Sequence, residues 1–113
     1  MNLSNKTLAF IGAGNMAEAL IRGLLVNKVL QPRQLIATDV RLDRLEFLQK
    51  SFGIRVTPEN VAAVREADII VLAVKPQQMT PVLNGLLDAV TGNKLIISIA
   101  AGITTARIEK ELG

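Results

Sequence analysis

Phe10-Ile11-Gly12-Ala13-Gly14-Asn15-Met16-Ala17 decides how this chain is read. The stretch closes the apolar run Leu8 to Ile11 and opens a helical pattern, so it reads as strand, glycine turn, helix start. That arrangement binds a pyrophosphate without a charged side chain. Gly12 allows the tight turn, Gly14 lets the backbone approach the phosphates, and the small Ala17 lets the helix pack closely on the strand. The helix N-terminus then aims unpaired N–H groups and partial positive charge at the anion. Two glycines also occur in strand-to-helix turns for steric reasons alone, so the surrounding pattern has to decide.

Outward from the turn, strands and helices alternate. Thr7 to Ile11 is the first expected strand, short and apolar as for a strand covered on both faces. The helix behind it places Met16, Leu20 and Leu24 on one face beside Gly23, and Gln31-Pro32 ends that unit. Leu35 to Asp39 is a second strand, and a helix with the stripe Leu45, Leu48 and Phe52 stops at Gly53. A weak strand at Arg55 and Val56 leads through Thr57-Pro58-Glu59-Asn60 into a short helix reaching about Ala67.

Ile69 to Val74 is the strongest strand, halted by Pro76. Met79, Val82, Leu83, Leu86, Leu87 and Val90 form a helical stripe, Leu95 to Ile99 is a further strand, and Thr104 or Thr105 caps a last helix ending near Leu112. The expected fold class is therefore α/β, a doubly wound parallel sheet with right-handed crossovers. Residues 1–113 form one dinucleotide-binding domain, expected to be the first domain of something longer.

Composition narrows the chemistry. Half of the 113 residues are hydrophobic, enough for a real core. Without cysteine or histidine there is no disulfide, thiol nucleophile, usual zinc site or Ser-His relay, and no metal is expected. A bound cofactor must carry the reaction. The net charge of +3 comes from scattered cations, and three Phe with no Tyr or Trp offer little to stack on bases. An anionic small molecule suits the chain better than nucleic acid. Glu18, Arg22 and Lys28 interrupt the apolar stretch from Met16 to Leu30, so no membrane span is expected and the reading is cytoplasmic.

Asp39 ends the second strand, where a carboxylate can hold the adenosine ribose hydroxyls and favours the unphosphorylated cofactor. Arg41 and Arg44 pull the other way, because a guanidinium pairs with a 2′-phosphate. A solvated turn at a helix start would show the same residues. Ala73, Val74, Lys75 and Pro76 leave the central strand on the edge where open α/β sheets bind ligands, and Lys75, held extended before proline, would offer backbone groups to a ribose. Its ammonium reads as a surface charge. Ser98 to Gly102 has almost no side-chain bulk, which suits a flat nicotinamide and a tight turn equally. Asn60 reads as a helix N-cap.

Taken together, Phe10 to Ala17, the Ala73 to Pro76 stretch behind Ala67-Asp68-Ile69, and the Ser98 to Ile103 run resemble pyrroline-5-carboxylate reductase, the last enzyme of proline biosynthesis. The resemblance covers essentially the whole chain. It implies a Rossmann-type NADP or NAD site in which Gly12, Ala13, Gly14, Asn15, Met16 and Ala17 hold the pyrophosphate. Asn60 then contacts the cofactor, Ala73 to Pro76 line its ribose, and Ala100, Ala101 and Gly102 border the nicotinamide. It implies hydride transfer from the reduced cofactor to the C=N carbon of 1-pyrroline-5-carboxylate.

The resemblance further implies a second, helical domain outside this chain that makes the homo-oligomer and is expected to carry the proton donor and substrate-carboxylate clamp, so this segment alone is expected to be inactive. One departure stands out: the family commonly carries a neutral residue in place of Asp39, which leaves NADPH against NADH open. The other readings are the cofactor domain of a β-hydroxyacid dehydrogenase, which also opens on a glycine turn followed by Asn and Met, and a non-catalytic nucleotide-sensing module.

Overall fold

A computed structural model describes residues 3–86, 89–90 and 94–99. Five parallel strands, β1 (Leu8–Ile11), β2 (Leu35–Thr38), β3 (Arg55–Thr57), β4 (Ile69–Leu72) and β5 (Leu95–Ser98), lie in the order β3-β2-β1-β4-β5. Four helices alternate with them: α1 (Asn15–Val26), α2 (Leu42–Phe52), α3 (Asn60–Glu66) and α4 (Pro76–Leu86). The doubly wound, Rossmann-type sheet expected from the sequence is thus present. The expected helix after residue 103 lies outside the described residues, as does Leu87 of the α4 stripe.

Alternation along each strand assigns its side chains to two cores. Leu8 and Phe10 of β1, with Ala37 of β2 and Val71 of β4, pack under α1 and α2 through Ala17, Ile21, Leu45 and Leu48. Ala9 and Ile11 point the other way, joining Ile70 and Leu72 against Ala63 and Val64 of α3 and Met79, Leu83 and Leu86 of α4. A strand buried on both faces cannot alternate in polarity, which is why β1, β2 and β4 read as continuous apolar runs.

The face of α1 differs from the one periodicity suggested. Met16 is 58% exposed and Leu20 42%, whereas Ala17 and Ile21 are fully buried. Close approach to the sheet selects the small Ala17 and the residue one turn later, and pushes the longer Met16 and Leu20 to the rim. Helix stops follow the local rules more faithfully. Gly53 caps α2 at φ +71, a left-handed conformation that costs glycine nothing. Pro76 opens α4 at its first position, where no N–H is needed. Pro81 sits inside α4 and has no N–H to return to the carbonyl of Gln77.

Candidate functional site

Neighbouring strands β1 and β4 send their chains to opposite faces of the sheet, α1 to one and α4 to the other. The crevice outside their C-terminal ends is where open α/β sheets bind ligands. A cleft of about 520 Å³ lies there. It is lined by Gly12, Ala13 and Gly14 from the first turn, Asp39 and Arg41 from the β2–α2 connection, Asn60 from α3, and Ala73, Val74 and Lys75 from the exit of β4. Four separate stretches picked out in the sequence therefore converge.

Other selected residues take different places. Asn15 and Met16 are exposed on the first turn of α1, and Ala17 is buried beneath it. Pro76 begins α4. Ala100, Ala101 and Gly102 lie outside the described residues. Thr38, Val40, Pro58, Gln77, Gln78, Pro81 and Val82 line the cleft without having been singled out. Thr38 carried a usable signal, as the last residue of the strand beside the glycine turn. The α4 residues carried none, since a helical stripe does not say which strand exit it overhangs.

The two glycines of the turn have separate reasons. Gly12 adopts φ +107, and a Cβ there would lie 2.8 Å from the carbonyl oxygen of Ala73, so only glycine lets β1 and β4 leave the sheet this close together. Gly14 has φ −81, open to any residue, and a Cβ there would meet nothing nearer than the Arg41 guanidinium at 3.9 Å. Its missing side chain leaves a cradle at the start of α1 that nothing in the protein requires. No side chain caps α1, whose N-cap Gly14 lines the cleft, so the leading amides of the helix lack a side-chain cap. Uncapped amides, a helix N-terminus and room for atoms fit a pyrophosphate.

Asp39 occupies the position expected to read the ribose but is already engaged. Its Oδ2 accepts from the Ala13 N–H at 2.9 Å and from Arg41 Nη2 at 3.1 Å, while Oδ1 accepts from the Arg41 backbone N–H at 2.9 Å and from Nε at 3.1 Å. Burial works against the carboxylate charge. The hydrogen bonds from Arg41 and Ala13, with the charge of Arg41, outweigh it and hold the Asp39 pKa at about 2. Arg41 stays half exposed, its guanidinium tethered beside Gly14.

Arg44 proves to be a turn contact rather than a free cation. Its Nε donates to the Ala13 carbonyl at 2.8 Å and its Nη2 to Glu18 at 3.0 Å. Asn60 is the first residue of α3 rather than its N-cap, a place held by Glu59, so its amide is released from capping. Asn60 Oδ1 instead accepts from the buried Thr38 hydroxyl at 2.5 Å. Lys75 lines the cleft beside the backbone it was expected to contribute. Among the described residues no helix is long and apolar enough to cross a membrane, and no three His, Cys, Asp or Glu side chains group as metal ligands.

Known proteins share this architecture. A pyrroline-5-carboxylate reductase of Methanosarcina acetivorans is 43% identical over 110 residues, covering 97% of this chain and 41% of the relative. The structure of a pyrroline-5-carboxylate reductase from Coxiella burnetii superposes with a TM-score of 0.91 at 39% identity, over 97% of this chain and 41% of that one. The Plasmodium falciparum pyrroline carboxylate reductase, solved with NADP bound, superposes with a TM-score of 0.83 at 29% identity over 97% of this chain and 39% of that one. The resemblance read from the motifs is borne out, and the chain spans about two fifths of the length of the curated relatives it matches. The model of the family described as NADP oxidoreductase coenzyme F420-dependent matches residues 7–102, and the chain belongs to that family.

Proposed function

We propose that residues 1–113 are the cofactor-binding domain of a pyrroline-5-carboxylate reductase using NADPH or NADH. The observation that carries the reading is the cradle left by the missing side chain of Gly14 at the uncapped start of α1, in a chain 43% identical to such a reductase. Bound there, the reduced dinucleotide supplies a hydride for the C=N carbon of 1-pyrroline-5-carboxylate, yielding L-proline. The chain's own part is to bind and orient. Gly12 to Gly14 and the first amides of α1 hold the pyrophosphate, as the N–H dipoles there favour an anion. Asp39 and Arg41 bound the adenosine end, and Asn60 and the Ala73 to Lys75 backbone flank the ribose side of the cleft; the nicotinamide is assigned to Ala100 to Gly102 on the sequence alone.

An imine carbon is electrophilic once its nitrogen is protonated, so the reaction asks for placement and exclusion of water more than for a nucleophile. The group that protonates the nitrogen and the clamp for the substrate carboxylate belong to a helical domain beyond this segment, which also joins the subunits of a cytoplasmic homo-oligomer. Neither nucleic acid nor a membrane enters the reaction. The test is a steady-state assay of the complete protein with 1-pyrroline-5-carboxylate and each reduced cofactor, beside β-hydroxyacids and each oxidised one. Reduction of the imine alone is expected. Turnover of a hydroxyacid with none of the imine would overturn the proposal.

A further inference from the structure

Ala13 stands between the two glycines, and both polar groups it carries are held from outside the turn. Its N–H is taken by Asp39 Oδ2 at 2.9 Å, its carbonyl by Arg44 Nε at 2.8 Å, and both partners come from the β2–α2 region. We propose that Arg44 is a positioning residue: it fixes the Ala13–Gly14 peptide in its pyrophosphate-binding orientation and offsets the Glu18 charge beside the helix N-terminus. The inference rests on the cofactor site proposed above.

Three observations carry it. Arg44 is committed, because its Nε and Nη2 bind different elements, the turn and Glu18 on α1, and the guanidinium stacks on Phe47 at 5.1 Å from the ring centre. Its side chain is only 20% exposed, which leaves it poorly placed to serve as a free ligand for a 2′-phosphate. Glu18 lies in the first turn of α1, where a carboxylate favours the helix but repels a bound diphosphate. Its two oxygens are answered by two guanidiniums, Arg44 at 3.0 Å and Arg22 at 3.0 Å. Glycine-rich turns are floppy by composition, and a carbonyl turned toward the anion would repel it. A donor that pins the Ala13 carbonyl aside prepays that ordering. The role falls to arginine because one planar fork reaches two acceptors at fixed angles, which a lysine point charge does not.

The inference is tested in the complete protein by titrating NADPH, NADH and adenosine 2′-monophosphate, which lacks a 5′-phosphate, into wild type, Arg44→Met and Arg44→Lys. Arg44→Met is expected to raise the Kd of both dinucleotides about tenfold, the effect of losing one charged hydrogen-bond donor, with their ratio and the monophosphate Kd unchanged within about twofold. Arg44→Lys should show a smaller loss with the same pattern, and stands in should the methionine variant fail to fold. Unchanged dinucleotide affinity, a loss confined to NADPH, or an equal loss for the monophosphate would each overturn it. Wild type that binds neither dinucleotide brings down the cofactor site itself, a separate and recognisable failure.

Discussion

The glycine turn has an inner and an outer side, and they answer to different demands. On the inner side, Gly12 at φ +107 is pressed against the exit of β4, where a side chain would strike the Ala73 carbonyl carbon at 2.9 Å and its oxygen at 2.8 Å. On the outer side, Gly14 at φ −81 would accept a Cβ that meets nothing nearer than the Arg41 guanidinium at 3.9 Å. The two glycines therefore separate into one that the fold requires and one that nothing in the described residues requires. The spacing of glycines in such a turn is a superposition of a packing rule and a binding rule, and substitution takes them apart.

Breaking the inner side should produce the largest effect. Gly12→Ala forces a non-glycine residue to φ +107 and drives a methyl into backbone, a combination expected to cost about 3 kcal/mol of stability. Urea denaturation of the complete protein measures it, and a loss below about 1 kcal/mol would mean that the strand exits can spread apart. Gly14→Glu should do the opposite. Its backbone is permitted and the new carboxylate meets only Arg41, so unfolding shifts by no more than about 0.5 kcal/mol, while calorimetric dinucleotide affinity falls by about 100-fold from occlusion and charge repulsion. Unaltered binding in Gly14→Glu would remove the pyrophosphate from this corner.

The same division explains what was legible in the sequence. The order of strands and helices was legible because apolar runs, Gly53 and Pro76 act locally, through burial, a left-handed cap and a missing N–H. The inward face of α1 was not. Hydrophobicity alone points to Met16 and Leu20, but the distance between helix and sheet, which selects Ala17 and Ile21, is a tertiary quantity. The cleft's main residues were legible as strand exits. Their ties were not, since Ala13 meets Asp39 across 26 positions and Arg44 across 31, and no period or motif encodes that meeting. Asn60 shows the limit at one residue: a helix start was readable, but whether its amide caps the helix or turns to Thr38 depends on where β2 ends.

A smaller effect sharpens how the outer side is held. Asp39 has its pKa lowered from 3.8 to about 2 because the folded state bonds the carboxylate to Ala13 and Arg41. A carboxyl that releases its proton more readily when folded stabilises the protein fully above the unfolded pKa, and that stability is lost as pH falls through the folded one. The shift corresponds to about 2 kcal/mol, reduced toward about 1 kcal/mol because solvent screens the exposed Arg41. Asp39→Asn should therefore lower stability by about 1 to 2 kcal/mol at pH 7, with the deficit falling by about half by pH 3. Urea midpoints at both pH values measure it. A deficit that stays constant between them would show that the Ala13 and Arg41 bonds do not depend on the carboxylate charge.

The smallest expected effect lies across the cleft, where the outer side has a counterpart on α3. Thr38 is fully buried at the end of β2 and donates to Asn60 Oδ1 at 2.5 Å, which turns the amide nitrogen of Asn60 away from it. Thr38→Val keeps the shape and the strand preference but removes the donor, leaving an amide oxygen in a partly buried place without its hydrogen bond. A stability loss of about 1 kcal/mol is expected, half the effect on the inner side or less. With its amide free to rotate, Asn60 should also hold dinucleotide about threefold more weakly, whereas Asn60→Ala in the Thr38→Val background should add little further loss because the two act through one contact. Additive losses in that double-mutant cycle would separate the residues and leave Thr38 as a packing group alone.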